Sequence, residues 1–257
     1  MNKLICCDCV EGLKTLPTGS IPLVITSPPW DDLRQYCGFD WDFKTTAEEL
    51  HRVISPRGVC CWHVADQVSN GTESLTSFKQ ALYFRSIGFL VNTLVIDQHI
   101  PNRHLHRYGQ TVQFVFVLSK GNPKVFHPIK DVPNASAGHV RPFNNRDVDG
   151  TQRYQYDPPP ISDFRCRSAV WWISAGGHSD GDITRHHPAV FNERLVKDLM
   201  VSFSDAGQVV LDPFSGVGTV AVVALKEGRR YLGFEISPQY HALSLKRVAR
   251  WSAKLAG

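Results

Sequence analysis

Four consecutive residues, Ser27-Pro28-Pro29-Trp30, bring together groups that could activate an aromatic amine. The serine hydroxyl and the carbonyl of the first proline can accept hydrogen bonds, and the prolines stiffen the loop and have no N–H to compete for those acceptors. The indole of Trp30 offers a face on which a ring can stack. Accepting both N–H bonds of an exocyclic amine would make its nitrogen more tetrahedral and more nucleophilic. The run therefore predicts a catalytic loop, although a proline turn beside an aromatic residue also occurs as plain structure.

A second string, residues 209–219, places an apolar run before a glycine turn that opens a helix. Gly216 and Gly218 have no Cβ, so backbone N–H groups and a helix N-terminus can approach a ligand closely. A dinucleotide-binding fingerprint would have a third glycine where Ala221 stands. Glu235 ends the next apolar run, where an acid can hydrogen-bond ribose hydroxyls. A cofactor that contains ribose is therefore expected, with a nicotinamide oxidoreductase as one alternative.

Together the two strings resemble the S-adenosylmethionine-dependent amino-methyltransferases of DNA, and their order is similar to that of the permuted β class. The resemblance covers nearly the whole chain except about residues 121–168. It implies S-adenosyl-L-methionine as cofactor, with Glu235 at the ribose and Asp8 at the adenine. The full set of cofactor contacts that it implies is Asp8, Thr26, His187, Phe191, Asp212, Pro213, Phe214, Ser215, Gly216, Gly218, Thr219 and Glu235.

The resemblance also implies the reaction, a methyl transfer to the exocyclic amine of a base that has left the duplex and stacks on Trp30. The pair Thr26-Ser27 is similar to members that methylate cytosine at N4, whereas members acting on adenine mostly begin the loop with Asp or Asn. We therefore expect cytosine N4, with adenine N6 as the alternative. Methylation at carbon 5 needs a cysteine nucleophile, usually in a Pro-Cys pair, and no cysteine here follows a proline. Gln113 stands where relatives often carry an acid.

The fold class follows from apolar runs that alternate with amphipathic helical stretches at both ends of the chain. We predict an α/β fold with a Rossmann-like methyltransferase sheet. This sheet is expected to be mostly parallel, with an antiparallel hairpin strand, helices on both faces and a circularly permuted order. Residues 1–120 form the predicted catalytic half and residues 171–257 the cofactor-binding half of one compact domain. Residues 121–170, without periodicity and rich in Pro, Gly, Asn, Asp and Arg, are the predicted target-recognition insertion.

Arginines supply the candidate contacts to double-stranded DNA, because they bind phosphates and guanine edges. Five basic residues face the single acid Asp97 between residues 97 and 130, although an ordinary solvated face has the same composition. The candidate DNA contacts are Arg103, Arg107, Arg141, Arg146, Arg153, Arg165 and Arg167. Two alternatives stay open on sequence grounds, a catalytically silent DNA-binding protein and an RNA substrate.

Composition and short motifs predict the state of the cysteines, the cellular location and the partners of the protein. The odd count of seven cysteines predicts free thiols, including a buried Cys6 and Cys9, and no histidine or cysteine spacing matches a metal motif. The sequence has neither a signal-peptide pattern nor a membrane-length apolar run, so a cytoplasmic protein of a bacterium, archaeon or phage is expected. A restriction endonuclease of the same system is a candidate partner, and the chain is expected to act as a monomer or homodimer.

Overall fold

The computed structural model describes residues 2–30, 41–98, 108–140, 143–155, 159–174, 176, 180–187 and 189–256, without the side chains of residues 143–145, 153–155 and 256. Contacts between Cα atoms divide the chain into two units. The larger unit comprises Met1–His127 and Ala169–Gly257, and the smaller one is Pro128–Ser168.

An eight-stranded sheet forms the centre of the larger unit. Its strands are β1 (Lys3–Cys6), β2 (Ile21–Thr26), β3 (Ile54–Val64), β6 (Leu90–Asp97), β7 (Val112–Ser119), β12 (Val170–Trp172), β13 (Val209–Asp212) and β14 (Arg230–Glu235). They lie in the order β1-β14-β13-β2-β3-β7-β6-β12, and β7 runs antiparallel to both of its neighbours while the other neighbouring pairs are parallel. The prediction of a mostly parallel sheet with an antiparallel hairpin strand is confirmed.

Helices cover both faces of this sheet. They are α1 (Cys9–Lys14), α2 (Phe43–Val53), α3 (Thr76–Ser86), α4 (Gly181–Thr184), α5 (Glu193–Phe203), α6 (Thr219–Lys226) and α7 (Pro238–Ala256). On one face, α1, α2 and α3 contribute Leu13, Leu50 and Phe84 to an apolar core with Val24 and Trp62 of the sheet. On the other face, α6 packs between α5 and α7. A short hairpin of β4 (Val68–Ser69) and β5 (Thr72–Glu73) precedes α3.

Local sequence explains where the helices beside the cavity begin. Asp8 caps α1 by accepting hydrogen bonds from the backbone N–H groups of Val10 and Glu11. Asn192 caps α5 in the same way through the N–H of Leu195. β1 ends at Cys6, so Asp8 lies beyond the strand, and Cys6 is exposed rather than buried as expected.

The described part of the smaller unit contains two antiparallel strand pairs. One pairs β8 (Lys130–Pro133) with β11 (Phe164–Cys166), and the other pairs β9 (Phe143–Arg146) with β10 (Gln152–Gln155). The sequence showed no periodicity here because each strand has at most four residues, and β8 and β11 are mostly exposed, which leaves no apolar alternation to detect. Target recognition stays a prediction for this unit.

No helix in the described part of the chain is long and apolar enough to cross a membrane. Within the same ranges, no cluster of three or more His, Cys, Asp or Glu side chains could hold a metal ion.

Candidate active site

A cavity of about 850 Å³ opens at one edge of the sheet. The parallel strands β2, β3, β13 and β14 end at this edge and the antiparallel β7 begins there, so loops distant in sequence meet around one space. Most of the predicted residues line it, namely Asp8, Ser27, Pro29, Trp30, His187, Phe191, Asp212, Pro213, Phe214, Ser215, Gly216, Thr219 and Glu235. Thr26, Pro28 and Gly218 are buried and do not line it.

Thr26 and Asp212 join the two predicted loops. β2 and β13 are parallel neighbours, with Leu23 beside Val210, so both strands end at the same level. The Thr26 hydroxyl donates to Oδ1 of Asp212 over 2.7 Å, and both residues are buried. Thr26, predicted as a cofactor contact, therefore acts on Asp212 instead of lining the cavity. Burial raises the pKa of Asp212 to about 7, although the hydrogen bonds from Thr26 and the Phe214 N–H oppose the rise.

The predicted catalytic loop follows β2 directly. Ser27 and Pro29 are half-buried and line the cavity. The indole of Trp30 is held at its edge, because its Nε1–H donates to the carbonyl of His63 over 3.1 Å. Its ring also meets the His63 ring edge-on at 5.1 Å between centroids. The loop is thus anchored to the end of β3.

The glycine loop between β13 and α6 is shaped by Glu235 and by two left-handed glycines. Gly216 and Gly218 have φ of 49° and 78°, and a Cβ on Gly216 would lie 3.0 Å from Nε2 of His187. The Glu235 carboxylate accepts hydrogen bonds from the backbone N–H groups of Gly216 and Ser237 at 2.7 and 3.0 Å. Burial raises the pKa of Glu235. Glu235 therefore organises the loop through these two hydrogen bonds.

Sequence reasoning did not assign a role to His63, which lies on the cavity wall. Its Nε2 is 2.8 Å from Oε1 of Gln113, and its ring stacks on Phe191 with centroids 5.0 Å apart. Burial lowers the pKa of His63 to about 4. The available signal was one polar residue within the apolar run at residues 59–64. Trp41 and Tyr240 are two more lining residues that the sequence analysis did not assign.

The candidate DNA contacts are only partly described. Arg103, Arg107 and Arg141 lie outside the described residues, as does the side chain of Arg153. Arg146 and Arg165 are exposed in the smaller unit. Arg167 is half-buried, and its guanidinium pairs with the Asp131 carboxylate through Nε and Nη2 at 2.9 and 2.5 Å. Arg167 therefore links the ends of the paired strands β8 and β11.

Comparison with known proteins places this geometry in a family. The family model described as DNA methylase, for N6 and N4 methyltransferases, matches residues 21–246. The orphan methyltransferase M.BamHII of Bacillus amyloliquefaciens is 36% identical over 242 residues, which cover 90% of each chain. The DNA adenine methyltransferase YhdJ of Escherichia coli is 25% identical, over 94% of this chain and 80% of its own.

Solved structures agree on the fold. The PvuII cytosine-N4-specific DNA methyltransferase superposes with a TM-score of 0.67 at 18% identity, covering 99% of this chain and 92% of its own. A putative DNA modification methylase of Thermus thermophilus, TTHA0409, superposes in its S-adenosyl-L-methionine complex with a TM-score of 0.64 at 24% identity, covering 98% of this chain and 96% of its own. The chain belongs to the family of S-adenosylmethionine-dependent DNA methyltransferases that modify the amino groups N6 of adenine or N4 of cytosine.

Proposed function

We propose that this protein transfers the methyl group of S-adenosylmethionine to N4 of cytosine in duplex DNA, after the base has left the helix. The observation that carries the proposal is the bond between Thr26 and Asp212. It couples the loop that begins with Ser27 to the strand that leads into the glycine loop. The hydroxyl that would orient an amine and the loop that would hold the methyl donor therefore border one cavity.

The residues around the glycine loop fit the cofactor. Gly216 leaves room that a Cβ would fill, and the Ser215 hydroxyl is buried with no partner among the described residues. Asp212 and Glu235 supply two carboxyls to a site whose ligand carries positive charge. When bound, S-adenosylmethionine supplies an electrophilic methyl group. The volume of about 850 Å³ is within the range of small-molecule sites.

We assign the orientation of the exocyclic amine to Ser27. Its Oγ would accept one N–H of the exocyclic group, which withdraws the nitrogen lone pair from the ring and directs it at the methyl carbon. The carbonyl of Pro28 remains the predicted second acceptor. Trp30, held at its edge by His63, would provide the stacking face for the extruded base.

Cytosine is preferred because the loop begins with a serine after a threonine. Adenine N6 is the second candidate, and the likeness to YhdJ supports it.

Recognition of the DNA sequence around the target base is assigned to residues 128–168, where Arg146 and Arg165 are exposed. The likeness to M.BamHII, which is described as an orphan methyltransferase, favours action without a cognate endonuclease. A restriction endonuclease partner, a cytoplasmic location and the choice between monomer and homodimer stay predictions.

Substitution of Ser27 by alanine tests the proposal. We expect Ser27→Ala to lower kcat for methyl transfer to unmethylated genomic DNA by about 100-fold, because one oriented acceptor is lost. The dissociation constant for S-adenosylmethionine should stay within about twofold. The exposed Ser20, whose hydroxyl donates to the Pro17 carbonyl, provides the matched control Ser20→Ala. Unchanged kcat in Ser27→Ala would reject the assignment.

A further inference from the structure

His63 and Gln113 form a polar pair in an otherwise apolar part of the cavity wall. His63 is 6% exposed and follows Cys60, Cys61 and Trp62, which are fully buried. Its ring is fixed between Phe191, which stacks on it, and Trp30, which meets it edge-on. Burying a polar ring costs free energy unless its nitrogens are hydrogen-bonded, so the partners of this imidazole determine its state.

The hydrogen bond to Gln113 determines how the imidazole is protonated. Nδ1 of His63 is buried and has no partner among the described residues. If Nδ1 carried the proton, a buried N–H donor would be orphaned, which costs more than an unfilled acceptor lone pair. The proton therefore belongs on Nε2, which donates to Oε1 of Gln113 over 2.8 Å. The ring stays neutral because burial lowers the pKa of His63.

This tautomer fixes the orientation of the Gln113 amide. With Oε1 accepting from His63, the amide NH₂ is directed away from the ring, and among the described residues it donates to no partner. Gln113 is half-buried and lines the cavity. The wall therefore presents a hydrogen-bond donor on a side chain whose rotation His63 restricts.

We propose that Gln113 donates from its amide to an acceptor on the ring of the target base, and that His63 is the positioning residue that holds the amide in this orientation. The proposal rests on the function proposed above. The ring nitrogen on the Watson–Crick edge beside the exocyclic amine is unprotonated in cytosine (N3) and in adenine (N1), whereas the corresponding nitrogen of thymine (N3) and of guanine (N1) carries a hydrogen. A fixed donor directed at this nitrogen would therefore admit cytosine and adenine and oppose thymine and guanine.

Nitrogen NMR of the histidine rings tests the pair without any need for activity. The protein labelled with ¹⁵N should show a His63 ring that is protonated on Nε2 only and stays uncharged at about pH 6, since burial lowers its pKa to about 4. His63→Phe identifies the signal. A ring protonated on Nδ1 would place the Gln113 amide the other way round and would overturn the proposal.

Four variants then test the role in recognition. Gln113→Glu keeps the shape but replaces the donor with an acceptor, so kcat/KM for genomic DNA should fall about 10- to 100-fold. His63→Phe keeps the ring packing but frees the amide, and about a tenfold loss is expected. Added to Gln113→Glu, His63→Phe should cost nothing more, because the two residues act as one unit. Gln239→Glu, on the exposed surface of α7, is the control with the same charge change.

The cofactor serves as an internal reference. The dissociation constant for S-adenosylmethionine should stay within about twofold in every variant, and Gln113→Met replaces Gln113→Glu if thermal unfolding shows that the carboxylate prevents folding. Wild-type kcat/KM in the Gln113 variants, or fully additive losses, would overturn the proposal. Failure of the wild-type protein to methylate DNA would instead overturn the proposed function, while the tautomer measurement would still decide the His63–Gln113 geometry.

Discussion

Asp212 is the residue whose chemistry depends most on its surroundings. It is 4% exposed, and burial raises its pKa from 3.8 to about 7 while the charge of Glu235 adds to the rise. The fold therefore keeps the carboxyl protonated where the unfolded chain ionises it. The stabilisation from this group is complete below about pH 4 and is lost as the pH rises through about 7. A positively charged ligand in the cavity would reverse the preference by favouring the carboxylate.

Replacing Asp212 by asparagine should separate stability from binding. Because the amide cannot ionise, we expect the ligand-free Asp212→Asn protein to melt a few degrees higher than the wild type at about pH 8, and equally at about pH 4. Its affinity for S-adenosylmethionine should fall at least about tenfold, whereas wild-type affinity should rise with pH through about 7. Scanning calorimetry and titration calorimetry measure the two effects, and a wild-type affinity that is independent of pH would contradict this role.

The residues of the candidate site could be predicted only where neighbours in sequence are neighbours in space. Ser27 and the glycine loop stand in contiguous strings, and they line the cavity. His63 and Gln113 are 50 residues apart and meet because β3 and β7 pair in antiparallel register, with His63 opposite Val115. No local pattern encodes such a register, so only the folded chain brings the two residues together.

At the scale of elements, helix α7 holds the glycine loop through hydrogen bonds from the side chain of Arg247. Arg247 is fully buried and donates from Nη1 to the Val217 carbonyl and the Thr219 hydroxyl at 3.3 and 2.9 Å. Its other nitrogens contact the carboxylates of Glu193 and Asp180, which begin α5 and precede α4. One guanidinium thus joins the loop to both helices beside the cavity.

Removal of this guanidinium should destabilise the fold and loosen the loop. We expect Arg247→Met to lower the free energy of unfolding by about 3 kcal/mol, because buried carboxylates lose a partner. The dissociation constant for S-adenosylmethionine should rise about tenfold in the folded protein. Urea unfolding and titration calorimetry measure both, with the exposed neighbour Lys246→Met as control. Reduced stability together with wild-type cofactor affinity would show that α7 does not determine the conformation of the glycine loop.

Elements with a long apolar run were the ones that sequence predicted. Strand β2, Ile21–Thr26, is one of them, and all but one of its residues are buried. Buried parallel strands carry continuous apolar residues, and that signal is strong. The strands of the smaller unit were not predicted, because residues such as Phe164 and Arg165 are exposed and neither face of the strand carries an apolar pattern.

At the scale of the whole molecule, the two units divide the chemistry from the proposed recognition. The cavity and its lining residues belong to the larger unit. The smaller unit has exposed arginines and two antiparallel strand pairs but, within its described residues, no buried core comparable to that of the sheet. Fold class could be predicted because the methyltransferase motifs and the alternation of strands and helices along the chain are local features of the sequence. The DNA sequence that is recognised depends instead on contacts that no code relates to residue type.

The salt dependence of DNA binding tests the role of the smaller unit. We expect the double substitution of Arg146 and Arg165 by alanine to weaken DNA binding and to reduce the slope of log K against log salt by about 2. S-adenosylmethionine binding should not change. Arg85→Ala, which removes an exposed charge from α3, is the control. An unaltered slope would place the phosphate contacts elsewhere.

The most direct test of the whole account is the identity of the methylated base. Purified protein is incubated with unmethylated genomic DNA and labelled S-adenosylmethionine, and the DNA is digested to nucleosides for mass spectrometry. The account predicts label in N4-methylcytosine, which should form about 100-fold more slowly with Ser27→Ala. Label in N6-methyladenine would keep the Ser27 mechanism but contradict the choice of base, and no label in any nucleoside, with the cofactor bound, would contradict DNA methylation by this protein.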